Sequence, residues 1–170
     1  MINHIIGIMV LVLMCVSPIL AGDKPENHRD REIRIDKFIR DAPLFIKGKS
    51  LPDLRKIGKL KREFTEKKPN HHDPKVTNTF ITLQFDGLEI YGYLKSQEVL
   101  WPIHITITKP QWKILNGLEV STPGSRIIKV LGPPDEQEKN IKKYCGEIEC
   151  VYFTEYNETI SKVEFYYYFD

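Results

Sequence analysis

The chain has 170 residues, 41% of them apolar and 28% charged, with 8 Tyr, 8 Phe and 2 Trp. That is room for one domain or two very small ones, and it carries enough apolar and aromatic content for a core, which excludes a disordered chain. The formal charge of +2 gives no drive toward nucleic acid, and no nucleic-acid partner is expected.

Residues 1–22 contain no Asp, Glu, Lys or Arg. Ile5 to Val16 is an almost unbroken apolar run, followed by Ser17, Pro18 and then Leu20-Ala21-Gly22. An apolar run, a Pro break and small residues ahead of a charged chain read as a secretory signal peptide, with cleavage after Ala21 or Gly22. The alternative of a retained membrane anchor meets a run that is short and broken by Pro18. Cys15 sits where a lipid-modified Cys would, but Met14 is larger than the small residue expected before it, so no lipid anchor is expected there.

Residues 23–43 form a charged N-terminal extension. Asp23 to Asp30 has no apolar residue. Ile35, Phe38, Ile39 and Ala42 then fit one face of a helix, although Ile33 and Ile35 alone would also fit a strand. Pro43 closes the element.

Residues 44–170 read as the folded domain. In its first half Ser50 suits a helix N-cap and Pro52 an early helical position, and Leu51, Leu54, Ile57 and Leu60 mark an apolar face that Gly58 would end or interrupt. A charged stretch, Lys61–Lys75, is expected as a linker. Thr79–Phe85 sets Ile81, Leu83 and Phe85 against Phe80, Thr82 and Gln84, which predicts a half-buried strand. Asp86-Gly87 signals a hairpin turn into Leu88–Leu94. Leu100–Thr108, with Ile103, Ile105 and Ile107 alternating, and Gln111–Leu115, with Trp112, add one or two strands. In the second half Gly117–Val120 reads as a short strand. Ser121 and Thr122 follow as caps, Ile127, Ile128 and Leu131 as a helix face, and Gly132-Pro133-Pro134 as a firm stop. A second linker, Pro133–Asn140, leads to a strand around Tyr152 and Phe153. Asn157-Glu158 makes a turn, and Val163–Phe169 closes the chain.

The strand Leu88–Leu94 and the strand Val163–Phe169 match at an offset of 75, position by position except that Gly92 meets Tyr167. A helix followed by a hairpin, twice, predicts pseudo-repeats at about 44–94 and 117–170. The expected fold is α+β: an antiparallel sheet with short helices packed on one face.

The run from Gly117 to Asp135, with its short strand, small-residue cap, short helix and Leu-Gly-Pro-Pro, resembles a motif of small exported bacterial proteins. It is similar to the unit that precedes an antiparallel hairpin in outer-membrane assembly lipoproteins of the SmpA/OmlA type. It also resembles the helix-then-sheet units of the β-lactamase-inhibitor-protein-like fold, which stand in tandem in the inhibitor. The likeness spans about residues 117–134, with a fainter echo at 44–60. It implies an α+β fold and a binding role without catalysis, and a fold alone does not establish function.

Three features of the mature chain bear on chemistry. Cys145 and Cys150, flanked by strand-like residues and separated by four others, suit a hairpin disulfide with Cα atoms about 5.5 Å apart. No nucleophile constellation or phosphate loop stands out, so no catalytic residue, cofactor or metal is expected. His71-His72-Asp73 lies between two prolines, where adjacent side chains point apart rather than toward one metal, and a hydrolase built on His71, His72 or His104 is the less favoured class. Residues 23–75 carry 16 basic and 10 acidic side chains against 9 and 13 in the remainder. The segment 47–75 is therefore either a solvated face or a weak contact for an acidic partner or a membrane surface.

Alternation puts Leu88, Ile90, Val163 and Phe165 toward the helices, and Glu89, Tyr91, Tyr93, Glu164, Tyr166 and Tyr168 on the open side of the sheet. Exposed tyrosine clusters suit protein interfaces, although the same tyrosines could simply stabilise the sheet across strands. The expected function is a non-enzymatic exported binding protein of the bacterial envelope, periplasmic or envelope-located. The alternative is a periplasmic or secreted enzyme inhibitor or immunity protein.

Overall fold

A computed structural model describes residues 27–168. The apolar leader over 1–22, Cys15 and the end of the last predicted strand at Phe169 lie outside the described residues.

Helix α1 (His28–Asp41) is capped by Asn27, whose side chain accepts the Asp30 N–H at 2.9 Å. It buries Ile35, Phe38 and Ile39, so the helical reading of this segment holds over the strand reading. The next helix, α2 (Leu51–Leu54), is one turn long, with Ser50 as cap and Pro52 inside the first turn. It ends before the expected Ile57 and Leu60, which pack against the core from the following loop. Gly117–Val120 forms no strand but runs on from a 3₁₀ turn at Leu115–Gly117, and α3 (Ser125–Leu131) starts after Gly124 rather than at Ser121. Gly132 ends α3 with φ 77°, a left-handed conformation that glycine adopts without strain.

Among the described residues eight strands form one antiparallel sheet. They are β1 (Arg62–Pro69), β2 (Thr77–Phe85), β3 (Leu88–Ser96), β4 (Val99–Ile107), β5 (Glu136–Glu138), β6 (Ile141–Cys145), β7 (Cys150–Tyr156) and β8 (Thr159–Tyr166). Their spatial order is β1-β2-β3-β4-β8-β7-β6-β5, two four-stranded meanders joined through β4 and β8. The fold is α+β and mostly β. The two stretches expected as charged linkers supply its two edge strands, β1 and β5, because an edge strand with both faces in water carries no apolar alternation. Gln111–Leu115 adds no strand. Its Trp112 is buried and donates its indole N–H to the Asp86 carbonyl at 2.8 Å, pinning this loop to the β2–β3 turn.

The two strands that match at offset 75 hold different places: β3 is third in its meander and β8 is fourth in its own, paired with β4. Gly92 departs from the match for a local reason. It faces the helix side opposite an irregularity in β4, and a methyl group there would overlap the Trp101 carbonyl.

One core lies between the sheet and the helices. Leu83, Ile90, Ile105, Val163 and Phe165 from the sheet meet Ile35, Ile39, Leu51 and Ile127 from the helices.

Candidate functional site: the open face of the sheet

Residues that alternate with the core positions fall into rows across the strands. One row runs Thr82, Tyr91, His104, Tyr166, Cys150 from β2 to β7, and the next runs Gln84, Glu89, Thr106, Glu164, Tyr152. A third places Phe80, Tyr93 and Trp101 side by side. The structure thus brings Glu89, Tyr91, Tyr93, Glu164 and Tyr166 together on the face opposite the helices. Tyr168 lies just beyond β8 and is 63% exposed. Tyr167 between them turns inward, donating its hydroxyl to the Ile39 carbonyl at 3.3 Å, and burial raises its pKa.

The rings pack on one another. Phe80 stacks on Tyr91 with centroids 5.7 Å apart, and Phe80 meets Tyr93 at 5.9 Å. His104 stacks on Tyr166 at 4.4 Å, and Tyr166 meets Tyr152 edge-on at 5.0 Å. Trp101 remains 48% exposed and Tyr166 42% exposed. Cations border the band: the Lys68 ammonium lies 5.4 Å from the Phe80 ring, Lys95 lies 4.2 Å from Trp101 and Lys143 lies 5.9 Å from Tyr152. The acids are held in place, Glu89 by the Gln84 amide at 2.7 Å and Glu164 by Lys162 at 2.8 Å. The result is an aromatic band about five strands wide with a charged margin.

Phe80, Trp101, His104 and Tyr152 complete the band beside the six residues singled out from the sequence. Phe80 was visible in the alternation of β2. Trp101 was not, because Ile103 has no partner on β3: Tyr91 faces His104 and Gly92 faces Pro102. This one-residue bulge reverses the phase of β4, burying Leu100 and turning Trp101 outward.

His104 is half-buried, and burial lowers its pKa against the opposing pull of Glu164 and Glu89. Its Nε2 lies 3.8 Å from Glu164, on an open sheet surface rather than in a deep pocket. His71 and His72 sit in the exposed β1–β2 loop, their rings 5.3 Å apart. Asp73 beside them accepts the Lys75 N–H at 3.0 Å within the same turn. Among the described residues no group of three or more His, Cys, Asp or Glu side chains is placed to hold a metal ion. Cys145 and Cys150 form a disulfide across the β6–β7 hairpin, with Cα atoms 4.1 Å apart. The basic segment 47–75 is partly neutralised, by Asp41 on Lys47, Glu63 on Arg55, Asp86 on Lys61 and Glu66 on Lys68. No described helix is long and apolar enough to cross a membrane.

No family model, curated protein or solved structure matches this chain.

Proposed function

We propose that this chain is a non-enzymatic exported binding protein of the bacterial cell envelope that engages a protein partner through the open face of its sheet. The observation that carries the reading is the band from Phe80 and Tyr93 through Tyr91, His104 and Tyr166 to Tyr152. A sheet needs only one covered face to be stable, and its other face is usually polar. Here that face carries large rings with low side-chain entropy, which suit recognition. The hairpin disulfide and the apolar leader in the sequence support an oxidising compartment.

The second reading, an inhibitor of a periplasmic or secreted enzyme, draws on the two helix-plus-meander halves joined edge to edge, since the resembled inhibitor fold also carries such units in tandem. Both readings use the same face. The experiment is site-specific photocrosslinking in the native cell from Tyr93, Tyr166 and, as a control on α3, Lys129. A defined partner crosslinked from the two tyrosine positions and not from Lys129 supports the proposal, and its identity as an envelope component or an enzyme separates the two readings. Crosslinks only from Lys129 would overturn it.

A further inference from the structure

The sheet ends differently on its two sides. β5 is an edge of three residues, whereas β1 is an edge of eight, every one of them exposed and the whole in unbroken register with β2. Asn70 donates its N–H to the Val76 carbonyl at 2.8 Å where β1 turns into β2. The pairing steps back from there without a shift, from Pro69 opposite Thr77 to Arg62 opposite Gln84. Paired and unpaired amides alternate along an antiparallel strand. The backbone groups of Lys68, Glu66, Phe64 and Arg62 therefore point to β2, and those of Lys67, Thr65 and Glu63 point outward. Pro69 falls on an outward position, where its missing N–H costs the ladder nothing.

An edge of this length that no described strand covers is a template for another strand unless its side chains forbid it. The acids of β1 are already engaged: Glu63 by two bonds from Arg55, at 2.7 and 2.9 Å, and Glu66 by Lys68 at 2.9 Å. The remaining charges on the strand are those of Arg62 and Lys67, and Lys59 and Lys75 lie close to its ends in sequence. An arriving strand thus meets a ready hydrogen-bonding edge under a positive surplus. Two-fold self-pairing about Thr65 would set Arg62 opposite Lys68, and would set Glu63, already held by Arg55, opposite Lys67, so charge favours an acidic strand over a second copy.

We propose that β1 is a strand-addition site that takes an extended acidic segment of a partner protein as a ninth strand of the sheet. Main-chain bonds to Glu63, Thr65 and Lys67 supply the ladder. Arg62 and Lys67 select acidic over basic sequences. Phe64, on the open face and exposed, supplies an apolar neighbour for one side chain of the incoming strand. The site rests on the backbone edge of β1 and adjoins the aromatic band, whose first row Phe64 continues beyond Thr82.

The test uses the chain lacking residues 1–22 and synthetic eight-residue peptides of alternating Val and Glu, with Lys-for-Glu and alternately N-methylated versions as controls. Saturable binding of the acidic peptide is expected, weakened about tenfold or more by either change. Hydrogen exchange should show new protection at Glu63, Thr65 and Lys67 and little change at Phe64 and Glu66. The variant R62E/K67E, which leaves the inward ladder intact, should reverse the preference toward the basic peptide. Absence of binding, or protection elsewhere in the sheet, would overturn the proposal. So would protection of those amides by phosphatidylglycerol vesicles or by self-association with the peptide inert.

Discussion

The carboxylate of Asp36 on α1 accepts the backbone N–H of Glu147 in the β6–β7 hairpin at 3.0 Å, across 111 residues of sequence. Asp36 is 6% exposed, and its second oxygen has no hydrogen-bond partner among the described residues. Gly146 packs directly on this carboxylate, so that any side chain there would overlap it. The hairpin is therefore fitted to the helix by one acceptor and one missing Cβ. Asp36→Ala leaves the Glu147 N–H without its acceptor, and about 1–3 kcal/mol of stability should be lost. Gly146→Ala should cost at least as much. The double variant should cost less than the two together, because the alanine at 36 vacates the space the new methyl needs. Urea denaturation of the four proteins measures the coupling, and strict additivity would show that the two sites do not communicate.

Glu149, in the same hairpin, has its pKa raised by burial and by the nearby Asp36 charge, with Arg40 opposing. A carboxyl whose folded pKa lies above its unfolded value favours the folded state when protonated. That contribution is present below the unfolded pKa, near 4.5, and is lost as pH rises through the folded pKa. Glu149→Gln should therefore stabilise the chain at neutral pH, with the gain disappearing toward pH about 4. Thermal melts of the two proteins across this range are the measurement.

Asp86 provides the opposite sign. Hydrogen bonds from Lys109 and Lys61 hold its pKa down to about 2, so its ion pairs should persist through mild acid and fail only as pH falls through that value. His104 belongs to a third case, a base whose folded pKa is lowered. The folded state then loses stability as pH falls below the unfolded value near 6.5. An NMR titration should place the His104 midpoint below that value. Glu164→Gln should lower it further by removing a charge that favours the imidazolium.

The disulfide closes a loop of only a few residues, so the entropy it removes from the unfolded chain is modest. Cys145→Ser with Cys150→Ser should cost about 2 kcal/mol in chemical denaturation. Because the same hairpin offers its N–H to Asp36, local exchange of the Glu147 amide should rise more than global stability falls.

The sequence made the faces of β2, β3 and β8 legible because each has one face against the core, and period two is then imposed by burial. Leu88 and Ile90 against Glu89 and Tyr91 is that signal. β1 left no such trace: Arg62 to Lys68 is polar on both faces, and Phe64 alone hints at a strand. β4 misled by phase rather than by composition. Ile103, Ile105 and Ile107 alternate, but the unpaired Ile103 breaks the count, so Trp101 could be placed only once the pairing with Tyr93 was seen. Ser50 marked the start of α2 and Gly132 the end of α3, but Ser121 and Thr122 do not cap α3, and the other helix ends were poorly bounded. Leu51 and Leu54 are helical, whereas Ile57 reaches the core from a loop, and apolar spacing alone does not separate these cases.

The alternation on β3 and β8 gives the sharpest test of the open face. Ile90 and Phe165 are fully buried between sheet and helices, so Ile90→Ala and Phe165→Ala should each cost about 2–5 kcal/mol through the cavity left behind. Three residues further along the chain from each, on the opposite face, the consequences change. Tyr168→Ala removes an exposed side chain and should cost less than about 1 kcal/mol of stability, and Tyr93→Ala, which loses its contact with Phe80, somewhat more. Tyr166→Ala also loses its stacking on His104 and its edge contact with Tyr152, and should fall between these groups. In partner binding the order should reverse. Tyr91→Ala and Tyr166→Ala, at the centre of the band, should weaken association by about 1–2 kcal/mol or more, and Ile90→Val should leave it unchanged. Denaturation midpoints and binding constants measured on one variant set decide the matter. If the tyrosine variants lose stability in proportion to affinity, the rings serve the sheet and not a partner.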